Sequence, residues 1–136
     1  MIILSVDYGD ARTGIAVCDR LQMLASPVTV INQSYEPKVI AAVKDLAEKH
    51  SAERIVVGLP RNMDGSEGER AEKCRAFAER LMEETGIETV MWDERLTTVS
   101  AHRALNVTNV TGKKRKEIVD AVSAVMILQD YLAANK

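Results

Sequence analysis

The chain has 136 residues, 46% of them hydrophobic and 28% charged, and its formal net charge at pH 7 is −2. This hydrophobic content excludes an intrinsically disordered chain, and the small negative charge excludes a protein that its overall field would draw to nucleic acid. A chain of this length fits one domain, residues 1–136, which buries enough apolar surface to fold without disulfide bonds.

Neither a membrane span nor a signal peptide is expected. No apolar stretch approaches the length of about 18 residues that a spanning helix needs. The N-terminus has no basic segment, and Asp7 interrupts its apolar run early. Cys18 and Cys74 lie within apolar patterns, which is typical of reduced core residues. We therefore expect a cytoplasmic protein with no membrane partner.

The first predicted elements are three strands. An apolar, β-prone run ends on Asp7 and should be a strand that is covered on both faces of the sheet. A turn leads to a second short strand at residues 15–18. Pro27 then punctuates the chain before a third strand at residues 28–31. Short turns between successive strands predict an antiparallel meander.

Helices and strands alternate after this meander. Apolar residues at three- and four-residue spacing over 39–47 predict a helix, and Pro37 suits its first turn. A fourth strand at residues 54–58 follows and should run parallel to the first. After an exposed, mobile loop, a second helix over residues 71–81 should end at Gly86.

The last third of the chain begins with a fifth strand at residues 87–92. A short helical stretch at 99–105 and a polar loop at 106–112 should follow, and a last helix over 115–132 should pack on the sheet. The fold class is therefore α/β, with a mixed five-stranded sheet flanked by helices and the element order βββαβαβα.

Acidic side chains mark the candidate site. Asp7 ends a buried strand, where a carboxylate must be paired, hydrogen-bonded or bound to a metal; alternatively, it caps the following turn. Asp120 lies among apolar neighbours of the last helix, or else on a partly exposed helix edge. Asp93 and Glu94 end the fifth strand and point to opposite faces, so only one of them can join Asp7.

Three carboxylates at one edge of a sheet repel one another unless a proton or a cation compensates them. An oxygen-only ligand set suits Mg²⁺ or Mn²⁺, and such ions support phosphodiester cleavage. Nearby cations could hold a phosphate backbone. These are Arg12, Arg61, Arg95, Lys113, Lys114, Arg115 and Lys116. One acidic centre rimmed by cations predicts a nuclease.

Four groups of residues in this order resemble the YqgF (RuvX) family. They are Asp7-x-Gly9-x-x-Arg12-x-Gly14, Gly58-Leu59-Pro60 with Asp64-Gly65, Asp93-Glu94-Arg95-x-Thr97-Thr98, and Asp120-x-x-x-Ala124 with Ile127-Leu128-Gln129-x-Tyr131-Leu132. The resemblance covers nearly the whole chain. It implies an RNase H-like fold related to the RuvC resolvases and a nuclease that matures the 5′ end of pre-16S rRNA, in a family also described as Holliday junction resolvases.

The resemblance also implies roles for residues of this chain. Asp7, Glu94 and Asp120 would be the catalytic metal ligands, with Glu94 favoured over Asp93. Gly9, Thr97 and Thr98 would join the cations in binding substrate. RuvC resolvases carry a further acid one turn after the first on the last helix, where this chain has Ser123, so its second metal is expected to bind weakly.

Two functions other than that of a nuclease are compatible with the sequence. Proteins of the actin, Hsp70 and sugar-kinase type also open with an apolar strand, an acid and a glycine-containing hairpin, but they use two duplicated domains. A non-catalytic module that binds RNA or a ribosomal particle is a second alternative.

The expected partner is RNA, with DNA junctions as the alternative, and the protein could be a monomer or a homodimer. The loops over residues 60–68 and 106–112 are expected to close over substrate.

Overall fold

The computed structural model of the protein describes residues 1–62, 64–96 and 112–135, with the backbone alone for residues 96 and 112–121. The strands are β1 Ile3–Tyr8, β2 Thr13–Cys18, β3 Ala25–Ile31, β4 Arg54–Leu59 and β5 Glu88–Asp93. The helices are α1 Glu36–Lys49, α2 Glu69–Thr85 and α3 Gly112–Ala134, and one turn of 3₁₀ helix, Glu94–Leu96, follows β5.

The strands form one mixed sheet in the order β3-β2-β1-β4-β5. β1 pairs antiparallel with β2 and parallel with β4, while β3 and β5 are the edges. The predicted sheet and element order are confirmed. Because β1, β4 and β5 are parallel, their carboxyl ends meet at one edge of the sheet.

Each face of the sheet carries its own core. Leu4 and Val6 of β1 pack towards α1 and α2, where Phe77 is fully buried. Ile3 lies on the opposite face with Ile127 of α3. This alternation follows from the two-residue period of a strand, and it confirms that β1 is covered on both faces.

Residues near the helix ends behave as predicted. Pro37 lies in the first turn of α1, where a missing N–H leaves no intrahelical bond unmade. Gly86 ends α2 with φ of 69°, in the left-handed region, and donates its N–H to the Met82 carbonyl at 2.9 Å. Helix α3 extends beyond the predicted 115–132 at both ends.

The predicted position of Pro27, before the third strand, is wrong. Pro27 lies inside that strand. Strand β3 begins at Ala25, and Pro27 pairs with Ala16 where the register between β2 and β3 shifts. Proline cannot donate a ladder hydrogen bond, so an edge strand beside an irregularity is where it is tolerated.

The structure also bears on the predictions for the cysteines and for membrane spans. Cys18 and Cys74 are free and buried, as predicted. Among the described helices, none is long and apolar enough to span a membrane. The predicted helical stretch at 99–105 and the residues Thr97 and Thr98 lie outside the described part of the chain. So does the loop at 106–112, except for Gly112, which begins α3.

Candidate active site

Asp7 lies near the carboxyl end of β1, at the centre of the sheet. Across the hairpin Asp7 pairs with Gly14. Two residues earlier on β1 lies Ser5, which is fully buried. Asp7 is only 9% exposed, although its side chain is polar. Since side chains alternate along a strand, Asp7 faces the same side of the sheet as Ser5, which is the side covered by α3.

Ser5 establishes how α3 lies against β1. Its hydroxyl donates a buried 2.7 Å hydrogen bond to the carbonyl of Ala124. Nearer the start of β1, Arg54, which pairs with Ile3, donates to the hydroxyl of Tyr131 at 3.0 Å. Helix α3 therefore runs antiparallel to β1. Asp120 lies one helical turn before Ala124, so its backbone is at the Asp7 end of the helix.

Glu94 follows β5 and is 5% exposed. It lies beside Gly58 of β4, where a Cβ atom would be 3.2 Å from the Glu94 Cδ and 2.8 Å from the Ile127 Cδ1. Gly58 follows Val57, the residue that pairs with Val6 of β1. The absence of a side chain at Gly58 thus leaves room for the Glu94 carboxylate.

Asp93 is directed to a different environment. Its carboxylate accepts hydrogen bonds from Arg95 at 2.8 Å and from Arg61 at 3.3 Å. The hydrogen bond from Arg95, followed by that from Arg61, lowers the pKa of Asp93 below its usual value against the opposing effect of burial. The two neighbouring acids are therefore separated, as strand alternation predicts, and Arg61 and Arg95 both contact Asp93.

Asp7 and Glu94 line the same cleft, whose volume is about 220 Å³. Further lining residues come from the end of β1 and the turn after it, from the position after β4 and from α2. They are Tyr8, Gly9, Asp10, Pro60, Arg70 and Cys74. Two buried carboxylates that are 87 positions apart in the sequence thus meet where β1 and β5 end on either side of β4.

Sequence reasoning missed Arg70 and Cys74 as residues of this cleft. Arg70 is the second residue of α2, and its guanidinium contacts Asp10 at 2.7 Å and the carbonyl of Tyr8. Cys74 lies one turn further along the same helix. One feature of the sequence could have drawn attention to Arg70. It is a cation in the first turn of a helix, where acids are preferred, so contacts outside the helix were to be expected.

Burial and the charged residues around the cleft change the pKa of the Cys74 thiol. Burial raises the pKa of this thiol to about 11; Arg70 lowers it, whereas Glu94, Asp7 and Asp10 raise it. The thiol is therefore protonated at neutral pH. The other groups that the cleft offers to a cation are the carboxylate oxygens of Asp7, Asp10 and Glu94.

The remaining described residues that were predicted to bind substrate lie in the turn after β1 and at the start of α3. Gly9 lines the cleft, and a Cβ there would be 2.2 Å from the backbone oxygen of Arg12, so the tight turn after β1 requires glycine. Arg12 lies in that turn and has a buried Nε. Residues 113–116 form the start of α3, with Lys116 about 6 Å along the axis from Asp120.

A divalent cation fits the donors that the cleft offers. Mg²⁺ and Mn²⁺ prefer oxygen ligands, and Asp7 and Glu94 bring two carboxyl groups to one cleft. Among the residues whose side chains are described, no group of three acids, histidines or cysteines could hold a metal ion. The third predicted ligand, Asp120, is described by its backbone alone.

Comparison with known families identifies the chain. The RuvX family, described as Holliday junction resolvase, matches residues 1–134. This chain is a member of the RuvX family. A relative from Halothermothrix orenii is 45% identical over 132 residues, covering 97% of this chain and 94% of the relative. One from Agathobacter rectalis is 40% identical over 135 residues, covering 97% and 94%. Both relatives are named as candidate pre-16S rRNA nucleases.

The fold of this RuvX protein matches that of a RuvC resolvase. The structure of Thermus thermophilus RuvC in complex with a Holliday junction substrate superposes with a TM-score of 0.62 at 14% identity, covering 99% of this chain and 96% of RuvC. The fold is therefore RNase H-like, as the resemblance implied. Membership of RuvX places the chain among nucleases, which are hydrolases that act on phosphodiester bonds.

Proposed function

We propose that this RuvX protein cleaves the precursor of 16S rRNA near its 5′ end, during ribosome biogenesis in the cytoplasm. The observation that carries the proposal is the meeting of Asp7 and Glu94 in one cleft at the end of the sheet. Relatives that are 40% and 45% identical over almost their whole length bear the name of a nuclease for this RNA.

Asp7, Glu94 and Asp120 are the proposed ligands of Mg²⁺ or Mn²⁺. Nucleases with the RuvC-like fold generally depend on divalent metal ions. When bound, such an ion makes water a stronger nucleophile and stabilises charge on the leaving oxygen. The antiparallel packing of α3 on β1 supports the inclusion of Asp120, because it brings the backbone of this residue to the Asp7 end of the helix. Gly58 supports the inclusion of Glu94, since it leaves space for that carboxylate.

The remaining predicted residues would position the RNA. Gly9 permits the backbone after β1 to form one wall of the cleft, and Arg12 lies in the same turn. Lys113, Lys114, Arg115 and Lys116 begin the helix that carries Asp120, so they are proposed to contact phosphates beside the cleaved bond. Thr97 and Thr98 are proposed to orient the chain after Glu94.

Arg61 and Arg95 are also proposed to contact substrate, and here the structure adds a condition. Both guanidinium groups hydrogen-bond Asp93. A phosphate would therefore compete with this carboxylate for them. The loop over residues 60–68 carries Arg61, so such an exchange would accompany the proposed closure of this loop over RNA.

The test compares wild type with Asp7→Asn on two substrates, pre-16S rRNA and a four-way DNA junction, with Mn²⁺ or with EDTA. We expect Mn²⁺-dependent cleavage of the RNA by wild type and a loss of at least about 100-fold in Asp7→Asn, since a carboxylate that binds the ion is removed. Asp45→Asn on the exposed face of α1 is the matched control, because it removes one negative charge far from the cleft.

The junction substrate addresses a second candidate function. The family description and the RuvC-like fold favour cleavage of a Holliday junction, which would require a homodimer to make symmetrical cuts. Cleavage of the junction alone would replace the ribosomal role. RNA binding that is equal in both proteins, with no cleavage of either substrate, would instead identify a non-catalytic binding module.

A further inference from the structure

Arg70 lies where the local preference of a helix disfavours a cation. It is the second residue of α2, and the same turn contains Glu69 and Glu72. Negative side chains are stabilising at this end of a helix, and a positive one is unfavourable there. Contacts outside the helix must therefore hold Arg70 in place.

Those contacts fix the guanidinium at the wall of the cleft. Its Nη1 donates to the carboxylate of Asp10 at 2.7 Å, and its Nη2 donates to the carbonyl of Tyr8. Its central carbon lies 5.3 Å from the centroid of the Tyr8 ring, which itself stacks on Phe77 at 4.0 Å between ring centroids. Because Phe77 is fully buried in the core, this arrangement is anchored to the sheet.

The guanidinium retains hydrogen-bonding capacity towards the cleft. An arginine has five N–H donors, and within the described part of the chain the hydrogen bonds of Arg70 go to Asp10 and Tyr8. Its side chain is 33% exposed. Among the described residues that line the cleft, Arg70 is the cation, beside the acids Asp7, Asp10 and Glu94.

We propose that Arg70 binds a phosphate oxygen of the nucleic-acid strand that enters the cleft between Asp7 and α2. A guanidinium that is held in place at the wall of the cleft can donate to a phosphate oxygen with little loss of conformational freedom. This inference rests on the proposed function of the cleft. It adds a substrate-binding residue on α2 to those expected on the turns and on α3.

The deciding measurement is the salt dependence of binding of a fluorescein-labelled single-stranded RNA, with Ca²⁺ in place of Mg²⁺ or Mn²⁺. Loss of one phosphate contact in Arg70→Gln should reduce the slope of log K against log salt concentration by about 0.7. Arg70→Lys should retain the slope, because it keeps the charge. In parallel cleavage assays with Mn²⁺, kcat/KM should fall about 10- to 100-fold in Arg70→Gln and less in Arg70→Lys.

Lys73→Gln is the matched control. Lys73 lies on the same helix, its Nζ is 4.0 Å from the same Asp10 carboxylate, and it is 53% exposed without lining the cleft. This variant should keep the wild-type slope within about 0.2, which is well below the effect of one phosphate contact. Far-UV circular dichroism checks that each variant is folded. If Arg70→Gln is not folded, Arg70→Met takes its place, because it also removes the charge but keeps an apolar stem against Tyr8, and an unchanged slope in this variant would overturn the proposal.

The outcomes separate this inference from the proposed function. An unchanged slope in folded Arg70→Gln would overturn the role of Arg70, whether or not the wild type cleaves RNA. A reduced slope without any cleavage by wild type would support Arg70 as a phosphate ligand and contradict the nuclease function.

Discussion

Gly58 shows how one missing side chain shapes the cleft. The residue lies on β4 between the Ile127 side chain of α3 and the carboxylate of Glu94. Both neighbours are buried, at 0% and 5% exposure, so neither can move without disturbing its surroundings. A glycine at this position therefore serves the packing of α3 and the placement of Glu94 together.

Gly58→Ala should lower both stability and activity. Its Cβ would lie 2.8 Å from the Ile127 Cδ1, so that side chain would have to shift, and 3.2 Å from the Glu94 Cδ, which is tighter than an ordinary van der Waals contact. Overpacking of this kind costs about 1–3 kcal/mol of unfolding free energy. Urea unfolding measures the loss of stability, and cleavage of pre-16S rRNA with Mn²⁺ measures the loss of activity.

The double variant Gly58→Ala with Ile127→Val separates the two effects. Valine lacks the Cδ1 atom, so the contact with α3 is relieved while the contact with Glu94 remains. Stability should recover in part, and activity should stay low. Full activity in Gly58→Ala alone would show that the position of the Glu94 carboxylate is not important for cleavage.

At the scale of elements, ion pairs tie the loop between β4 and α2 to its surroundings. Glu67 pairs with Arg61 at 3.1 Å within the loop and hydrogen-bonds Arg75 of α2 at 2.7 Å. Arg61 also reaches Asp93 at the end of β5. The sequence predicts an exposed, mobile loop, because polar residues give no local signal for these pairings with distant elements.

The Glu67 pairings should make stability depend on pH at the acidic end. Hydrogen bonds from Arg75, then from Arg61, lower the pKa of Glu67 from 4.5 to about 2. Because the folded state binds a proton less readily, the stabilisation is complete above pH 4.5 and is lost as the pH falls through about 2. Glu67→Gln should therefore be less stable than wild type at neutral pH and equally stable near pH 2.

Urea unfolding of both proteins across this pH range is the measurement. Glu83→Gln on the exposed side of α2 is the control, and it should change stability by less than about 0.5 kcal/mol at neutral pH. A difference between Glu67→Gln and wild type that persists unchanged at about pH 2 would contradict the role of these ion pairs.

At the scale of the whole molecule, one sheet is shared by two cores. Helices α1 and α2 cover one face, and α3 covers the other. Side chains of β1 contribute to both cores, so loss of either layer exposes the central strand. We therefore propose that residues 1–136 unfold as a single domain.

Trp92 provides a local probe for this proposal. It is the single tryptophan of the chain, and its ring meets the Tyr131 ring of α3 edge to face at 5.9 Å. Its fluorescence should report the docking of α3, whereas far-UV circular dichroism reports all the helices and strands. If the domain is cooperative, both signals should give the same unfolding midpoint in urea. An earlier fluorescence transition would show that α3 separates first.

The sequence by itself determined the order of the elements and the candidate acids. Hydrophobic periods of two and of three to four residues are local properties, so they predict strands and helices directly. Gly86 and Pro37 mark helix ends through their own backbone preferences. Asp7 was recognisable because a charge at the end of an apolar strand needs compensation wherever the strand lies.

Only the tertiary structure decided which side chains share the cleft. Glu94 enters it while Asp93 pairs with two arginines. Arg70 reaches the carbonyl of Tyr8 across 62 sequence positions, and Ser5 reaches Ala124 across 119. Such contacts depend on how α2 and α3 pack on the sheet, and no local pattern encodes the distance between two elements. The same reason explains Pro27, whose place inside β3 follows from that strand being an edge.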